Sequence, residues 1–185
     1  LENRRRIADH LGGTSGAIVT LYQEHGTTAR EVTSLPARDA LPHADAVVST
    51  TPGLVIGVLT ADCAPVLLAD AEARVVAAAH AGWRGALNGI VESAVREMER
   101  LGARRDGIHG AVGPCIGQNA YEVGPEFMDA FLSEDPDHDR FFAGGQGDRV
   151  HFDLPGFGLQ RLREAGVGRA AWTGHCTYSD PALFF

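Results

Sequence analysis

The sequence predicts a single mixed-sheet domain of the α+β or mixed α/β class. Three observations lead there. Short apolar runs rich in Val, Ile and Ala alternate with stretches of helical period. Some neighbouring runs are joined by tight turns, which makes hairpins, and others by helices, which makes crossovers. The length of 185 residues, with 44% hydrophobic and 22% charged side chains, suits one domain with a substantial core.

Residues 3–11 predict a short helix that ends at Gly12-Gly13. Residues 17–22 (AIVTLY) read as a strand running into Gln23-Glu24-His25-Gly26. Residues 34–45 are a loop with two prolines, and 46–49 a short strand. A buried-type strand over 54–59 is broken at Thr60-Ala61-Asp62-Cys63. Strands over 65–69 and 75–79 flank a hairpin turn at 70–73. The clearest helix follows, where Leu87, Ile90, Val91, Ala94, Val95, Met98 and Leu101 recur at steps of three and four and build one apolar stripe. Glu92 and Arg96, four apart on the other side, are expected to pair. Gly102 stops that helix. Residues 108–112 predict a strand, 127–132 a short helix and 133–149 an acidic, then Gly-rich, surface loop. A strand over 150–152, a helix over 157–165 and a last strand over 170–173 complete the chain.

Composition removes several function classes. The net charge of −8 argues against nonspecific nucleic-acid binding, which needs a dense basic surface. No apolar run approaches the roughly 18–20 residues of a membrane span, so no membrane partner is expected. All sixteen basic residues are Arg, which excludes Schiff-base and P-loop lysine chemistry. The three cysteines, Cys63, Cys115 and Cys176, are odd in number and widely spaced. They make no disulfide framework and fit a reducing cytoplasm.

Three segments share one pattern, an apolar strand followed at once by polar, Gly-rich residues. They are Gln23-Glu24-His25-Gly26-Thr27, Thr60-Ala61-Asp62-Cys63-Ala64-Pro65 and His80-Ala81-Gly82-Trp83-Arg84-Gly85. Strand ends are where rigid scaffolds present functional groups. Each segment carries one good metal donor: His25, Cys63 and His80. Two imidazoles and a thiolate suit zinc, with a fourth position left for water, and copper accepts the same donors. Spacing alone leaves two other readings open. Cys63 could be a core thiol beside two hydrogen-bonded histidines, or a nucleophile with His80 as its base. Asp62 could orient either arrangement. Arg84, in a Gly-flanked turn at a helix start, is a candidate anion holder. Trp83 could wall a flat ligand. Gly113-Pro114-Cys115-Ile116-Gly117, followed by Tyr121-Glu122-Val123-Gly124, could bring backbone amides to a ligand. Cys115 and Cys176 read as structural, and His10, His43, His109, His138 and His151 as surface or ordinary structural residues.

Together these motifs, with Cys176-Thr177-Tyr178 and Phe184-Phe185, resemble the YfiH/YlmD-like family in the right order along nearly the whole chain. That family has been called a laccase-domain multicopper polyphenol oxidoreductase and a peptidoglycan editing factor. The resemblance implies a layered α/β/β/α domain over residues 1–185. It implies one zinc on His25, Cys63 and His80. It also implies phosphorolysis of adenosine, inosine, guanosine and methylthioadenosine, deamination of adenosine, and so a purine nucleoside and phosphate as partners. Catalytic roles would fall to Asp62, Cys63 and Arg84, and substrate contacts to Arg84, Trp83 and Tyr121. The chain departs from the family pattern in three ways. The usual Gly-Gly-Val-Ser-like strand before the first helix and the Ser-Tyr-Arg-Arg stretch after the Phe pair are expected to be absent from this sequence. Glu24 stands where Val is more usual.

The laccase name carries its own requirement. A multicopper oxidase fills four copper sites with the help of several His-x-His pairs. The eight histidines of this chain are scattered singly, with no His-x-His. One copper at the zinc site is the most that pattern accommodates. A cysteine hydrolase and a peptidoglycan-editing factor that acts as a binding protein for a nucleoside or amino acid are the remaining alternatives.

Overall fold

The computed structural model describes residues 2–14, 16–37 and 39–184. Phe185, half of the C-terminal Phe pair, lies outside them. Helix α1 spans Glu2–His10. Two short strands, β1 (Ile18–Val19) and β4 (Val55–Ile56), pair in parallel. The main sheet has six strands: β2 (Ala29–Glu31), β3 (Ala46–Ser49), β5 (Ala64–Asp70), β6 (Val75–Ala81), β7 (His109–Val112) and β11 (Arg169–Trp172). Their order is β11-β7-β5-β6-β3-β2. The outer pairs β11/β7 and β3/β2 are parallel, and the three inner pairs are antiparallel. A third, antiparallel sheet runs β8 (Glu122–Val123), β10 (Val150–Phe152), β9 (Phe142–Gly144). The mixed sheets are as the hairpins and crossovers predict.

Helices cover one face of the main sheet. α2 (Trp83–Asn88) leads into α3 (Ile90–Arg100), which lies on β6, β3 and β2. α5 (Leu154–Glu164) lies on β5, β7 and β11. The apolar stripe does the packing: Ile90, Val91, Ala94, Val95 and Met98 are buried, and the four larger side chains are each worth up to roughly 1.5–3 kcal/mol of burial. On the opposite face, Val47 and Ala78 meet Val19, Leu21, Val32 and Ala44 in a second, smaller core. There β1 and β4 lie between the main sheet and α1. Read through this end, the layers run helix, sheet, sheet, helix.

Several expectations change. The helix expected from Leu87 to Leu101 is two helices that begin earlier, at Trp83, because Gly89 adopts φ 98° and turns the chain between them. Leu87 therefore sits on α2, before the break. The strands over 17–22 and 54–59 are reduced to two residues each, and Tyr22 makes an isolated bridge to His43. The stretch 133–149 is not merely a surface loop. After α4 (Pro125–Glu134), residues Pro136–Phe141 form a 3-10 helix and β9 follows. Phe141 and His138 are buried there, because Phe141 and His138 both pack edge-on against Phe157. Glu92 reaches across to Arg161 on α5 at 2.7 Å instead of pairing with Arg96. Arg96 donates to Ser93 Oγ within its own helix.

Candidate metal centre

The main-sheet register brings the second and third motifs together. β5 and β6 are antiparallel, with Ala64 opposite Ala81 and Pro65 opposite His80. Cys63, just before β5, therefore stands beside the end of β6. The first motif arrives from the other side. Its Gln23 side chain donates to the Leu59 carbonyl and accepts from the Leu59 amide, both at 2.8 Å. That amide clamp ties the His25 loop to the segment leading into Cys63.

The donor atoms of His25, Cys63 and His80 all lie within 4.8 Å of one another. Cys63 Sγ is 4.0 Å from His25 Nε2, and the two imidazole rings meet edge to face at 4.6 Å. Zinc bonded to nitrogen and sulfur at its usual lengths separates such donors by about 3.3–3.6 Å. Holding one zinc would draw the widest-spaced of these donors together by up to about 1.2–1.5 Å. The set is the single cluster of three or more such donors among the described residues. Close approach is possible because Gly82 has no side chain. A Cβ there would lie 3.0 Å from Cys63 Sγ and 3.1 Å from the His25 ring.

A residue that sequence reading passed over organises this set. Asp45, just before β3, is buried, as is His80. His80 Nδ1 lies 2.8 Å from Asp45 Oδ1. An ionised carboxylate only accepts, so the proton is on Nδ1 and Nε2 is left as the donor atom. The same carboxylate accepts the backbone N–H groups of Glu24, His25 and Gly26 at 3.1, 2.9 and 2.8 Å. Burial pushes the Asp45 carboxyl upward, but the His80 bond and the three backbone bonds together hold it below its usual range. The signal was present in the sequence: one Asp at the start of the apolar run Ala46-Val47-Val48, with an Ala-rich strand ending in His80. It becomes readable only with the register, in which Ala46 faces Ala79 and the His80 amide donates to the Asp45 carbonyl at 2.7 Å.

The other expected residues have partners of their own. Asp62 is exposed and accepts from Thr177 Oγ1 at 2.7 Å, while the Ile116 amide donates to its carbonyl at 3.0 Å. The carboxylate bonded to the His80 ring is therefore that of Asp45, and Asp62 is joined to the C-terminal motif. Burial pushes the Tyr121 hydroxyl up to about 12, with Cys63 and Asp62 adding to the shift. Trp83 packs on Phe127 at 4.6 Å, and the Arg84 guanidinium lies 4.8 Å above its ring. With α2 only six residues long, the strong positive charge at this edge is Arg84 itself. Burial raises the Cys63 thiol, and Asp62 and Asp45 raise it further. A thiolate there calls for a cation. All three cysteines are free. Cys115 is buried, and Cys176 Sγ accepts from the Gly117 amide at 3.2 Å and from Ser179 Oγ at 3.3 Å. Glu24 accepts from His43 Nδ1 at 2.7 Å, away from the donor cluster.

The family model described as multi-copper polyphenol oxidoreductase laccase matches residues 1–185. The chain belongs to this family. Among the family's members, a Rickettsia conorii protein named purine nucleoside phosphorylase RC0672 is 35% identical over 185 residues, all of this chain and 75% of that one. The Escherichia coli protein named purine nucleoside phosphorylase YfiH is 38% identical over 184 residues, 73% of its length. The crystal structure of Bacillus licheniformis YfiH superposes with a TM-score of 0.88 at 28% identity, over all of this chain and 73% of that one. YlmD from Geobacillus stearothermophilus gives 0.87 at 27% identity, over 99% and 72%. The YfiH/YlmD resemblance read from the motifs is thus the chain's family, and its mixed α+β fold is shared with these relatives. No described helix is long and apolar enough to cross a membrane.

Proposed function

We propose that this chain is a zinc-dependent purine nucleoside phosphorylase of the YfiH/YlmD-like family, with adenosine deaminase activity at the same site. The observation that carries the proposal is the convergence of His25 from the loop before β2, Cys63 from just before β5 and His80 from the end of β6, in a chain whose relatives are named for phosphorolysis. Adenosine, inosine, guanosine and methylthioadenosine are the expected substrates. Zinc on these donors would supply Lewis acidity and a local positive charge in a chain of net charge −8. Arg84 would hold phosphate, and Trp83 and Tyr121 would contact the nucleoside. In phosphorolysis a phosphate oxygen bonds to the ribose anomeric carbon as the bond to the purine breaks. The leaving base then needs a proton, and Asp62 is the acid we assign to it.

Two rivals are disfavoured by particular observations. A cysteine hydrolase needs a thiol held low, whereas burial, Asp62 and Asp45 push Cys63 up. A multicopper oxidase needs more donor clusters than the one found among the described residues; a single copper on the same three donors is the form of that reading that survives. The test is incubation of the zinc-loaded protein with adenosine and phosphate, following adenine, ribose 1-phosphate and inosine. Adenine with ribose 1-phosphate supports phosphorolysis, inosine supports deamination, and formation of none of them overturns the proposal. Metal analysis of protein purified without added metal distinguishes zinc from copper.

A further inference from the structure

We propose that Asp45 is the positioning residue of the metal centre: one buried carboxylate fixes two of the three ligands, the His80 ring and the turn that presents His25. The inference rests on His25, Cys63 and His80 being metal ligands and goes beyond it by assigning a task to a residue outside the donor set.

Two independent features of the geometry point to it. The first concerns His80. Its Nδ1–H donates to Asp45 Oδ1 at 2.8 Å, and both side chains are almost wholly buried. Burial shields that bond from bulk solvent. The imidazole is thereby locked in the tautomer and orientation that offer Nε2 to a metal. The second concerns His25. It adopts φ 59°, one of two described non-glycine residues with positive φ. That conformation costs on the order of 1–3 kcal/mol and persists only where the surroundings enforce it. The enforcement is visible: three successive amides, of Glu24, His25 and Gly26, all donate to the Asp45 carboxylate. No neutral side chain of this size reproduces the arrangement. Asn in place of Asp offers one acceptor atom and one donor group. Whichever way its amide turns, the NH2 faces either His80 Nδ1 together with the His25 amide, or the amides of Glu24 and Gly26. The first orientation favours the wrong His80 tautomer. The second releases the His25 turn.

Asp70 supplies an internal control. It is also buried and accepts three backbone amides, those of Glu72, Ala73 and Arg104. It lies at the opposite end of β5 from Cys63, and its loss disturbs a turn without touching the donors.

The experiment is a Co²⁺ titration of the metal-free full chain, read by the thiolate-to-cobalt absorption band, for wild type, Asp45→Asn and Asp70→Asn, with folding checked by circular dichroism. Wild type is expected to bind one Co²⁺ per chain. Folded Asp45→Asn is expected to bind 10–100-fold more weakly, with Asp70→Asn within twofold of wild type. Equal affinity of Asp45→Asn and wild type overturns the positioning role while leaving the ligand assignment intact. Failure of wild type to bind overturns the ligand assignment and this inference with it. If Asp45→Asn does not fold, the decision falls to the zinc-loaded wild type by ¹⁵N NMR of its histidine rings. A hydrogen-bonded Nδ1–H on His80 supports the inference, and an Nε2–H tautomer overturns it.

Discussion

Gly82 stands directly against Cys63: a methyl on its α-carbon would lie 3.0 Å from Sγ. The backbone at Gly82 is ordinary, with φ −63° and ψ 160°, so alanine is conformationally welcome there. Any effect of Gly82→Ala must then come from crowding the thiol and the His25 ring. The expected outcome is a near-normal melting temperature with metal affinity weakened by about tenfold, on the scale of losses around metal ligands. Parallel thermal melts and zinc competition titrations check it.

Removing the thiolate is the more severe change. Cys63→Ala is expected to abolish stoichiometric zinc binding and with it the zinc-dependent rise in thermal stability. A ligand at 100 times its dissociation constant stabilises the native state by about 2.7 kcal/mol. Calorimetry with and without zinc should show a clear upward shift for wild type and none for Cys63→Ala.

The contact between Asp62 and Thr177 predicts a catalytic effect without a metal effect. Asp62→Asn keeps the size of the side chain and loses the acid. It is expected to lower kcat by about 10²–10⁴-fold, the usual worth of general acid–base catalysis, while zinc content stays near that of wild type. Thr177→Val, which removes the 2.7 Å donor, is expected to give a smaller loss in the same direction. Initial rates with metal analysis on the same samples read both.

Acid stability follows from Asp70. The backbone N–H groups of Ala73 and Arg104 are the main reason its carboxyl titrates below 3.8. A carboxyl depressed in the folded state contributes its stability above the unfolded-state value and loses it as pH falls through the folded-state value. Unfolding free energy is therefore expected to fall with pH below about pH 4, and Asp70→Asn should flatten part of that fall. Urea melts between neutral pH and pH 2.5 test the slope.

The core prediction concerns Phe131. It is fully buried and stacks on Phe127 at 5.2 Å, with Phe152 at 4.6 Å and Phe157 at 5.0 Å. Phe131→Ala is expected to cost ~3–5 kcal/mol, measured by denaturant unfolding.

What could be read from the sequence depended on how local the signal was. The hairpin at 70–73 and the strands beside it declare themselves through turn residues and apolar runs, and β5 and β6 extend those runs by one to two residues. The apolar stripe of α3 is equally local. Its break from α2 is not, because a Gly inside a helical pattern is ordinary until φ 98° is seen. Phe141 and His138 sit among acidic residues, so their burial depends on partners far along the chain, notably Phe157. At the site, His25, Cys63 and His80 are legible as donors because each comes after an apolar run and within two residues of a glycine or proline. Asp45 was not, because its role is set by the pairing of β3 with β6 and by the fold of the His25 turn. Polar residues that act through register leave little trace in spacing.

The most direct measurement is ³¹P NMR of phosphate and inosine incubated with the zinc-loaded chain and with Cys63→Ala. The account predicts a ribose 1-phosphate signal that grows in step with hypoxanthine for wild type and is absent for Cys63→Ala. It is contradicted if ribose 1-phosphate fails to form with zinc-loaded wild type, or if it forms equally well without the Cys63 thiolate.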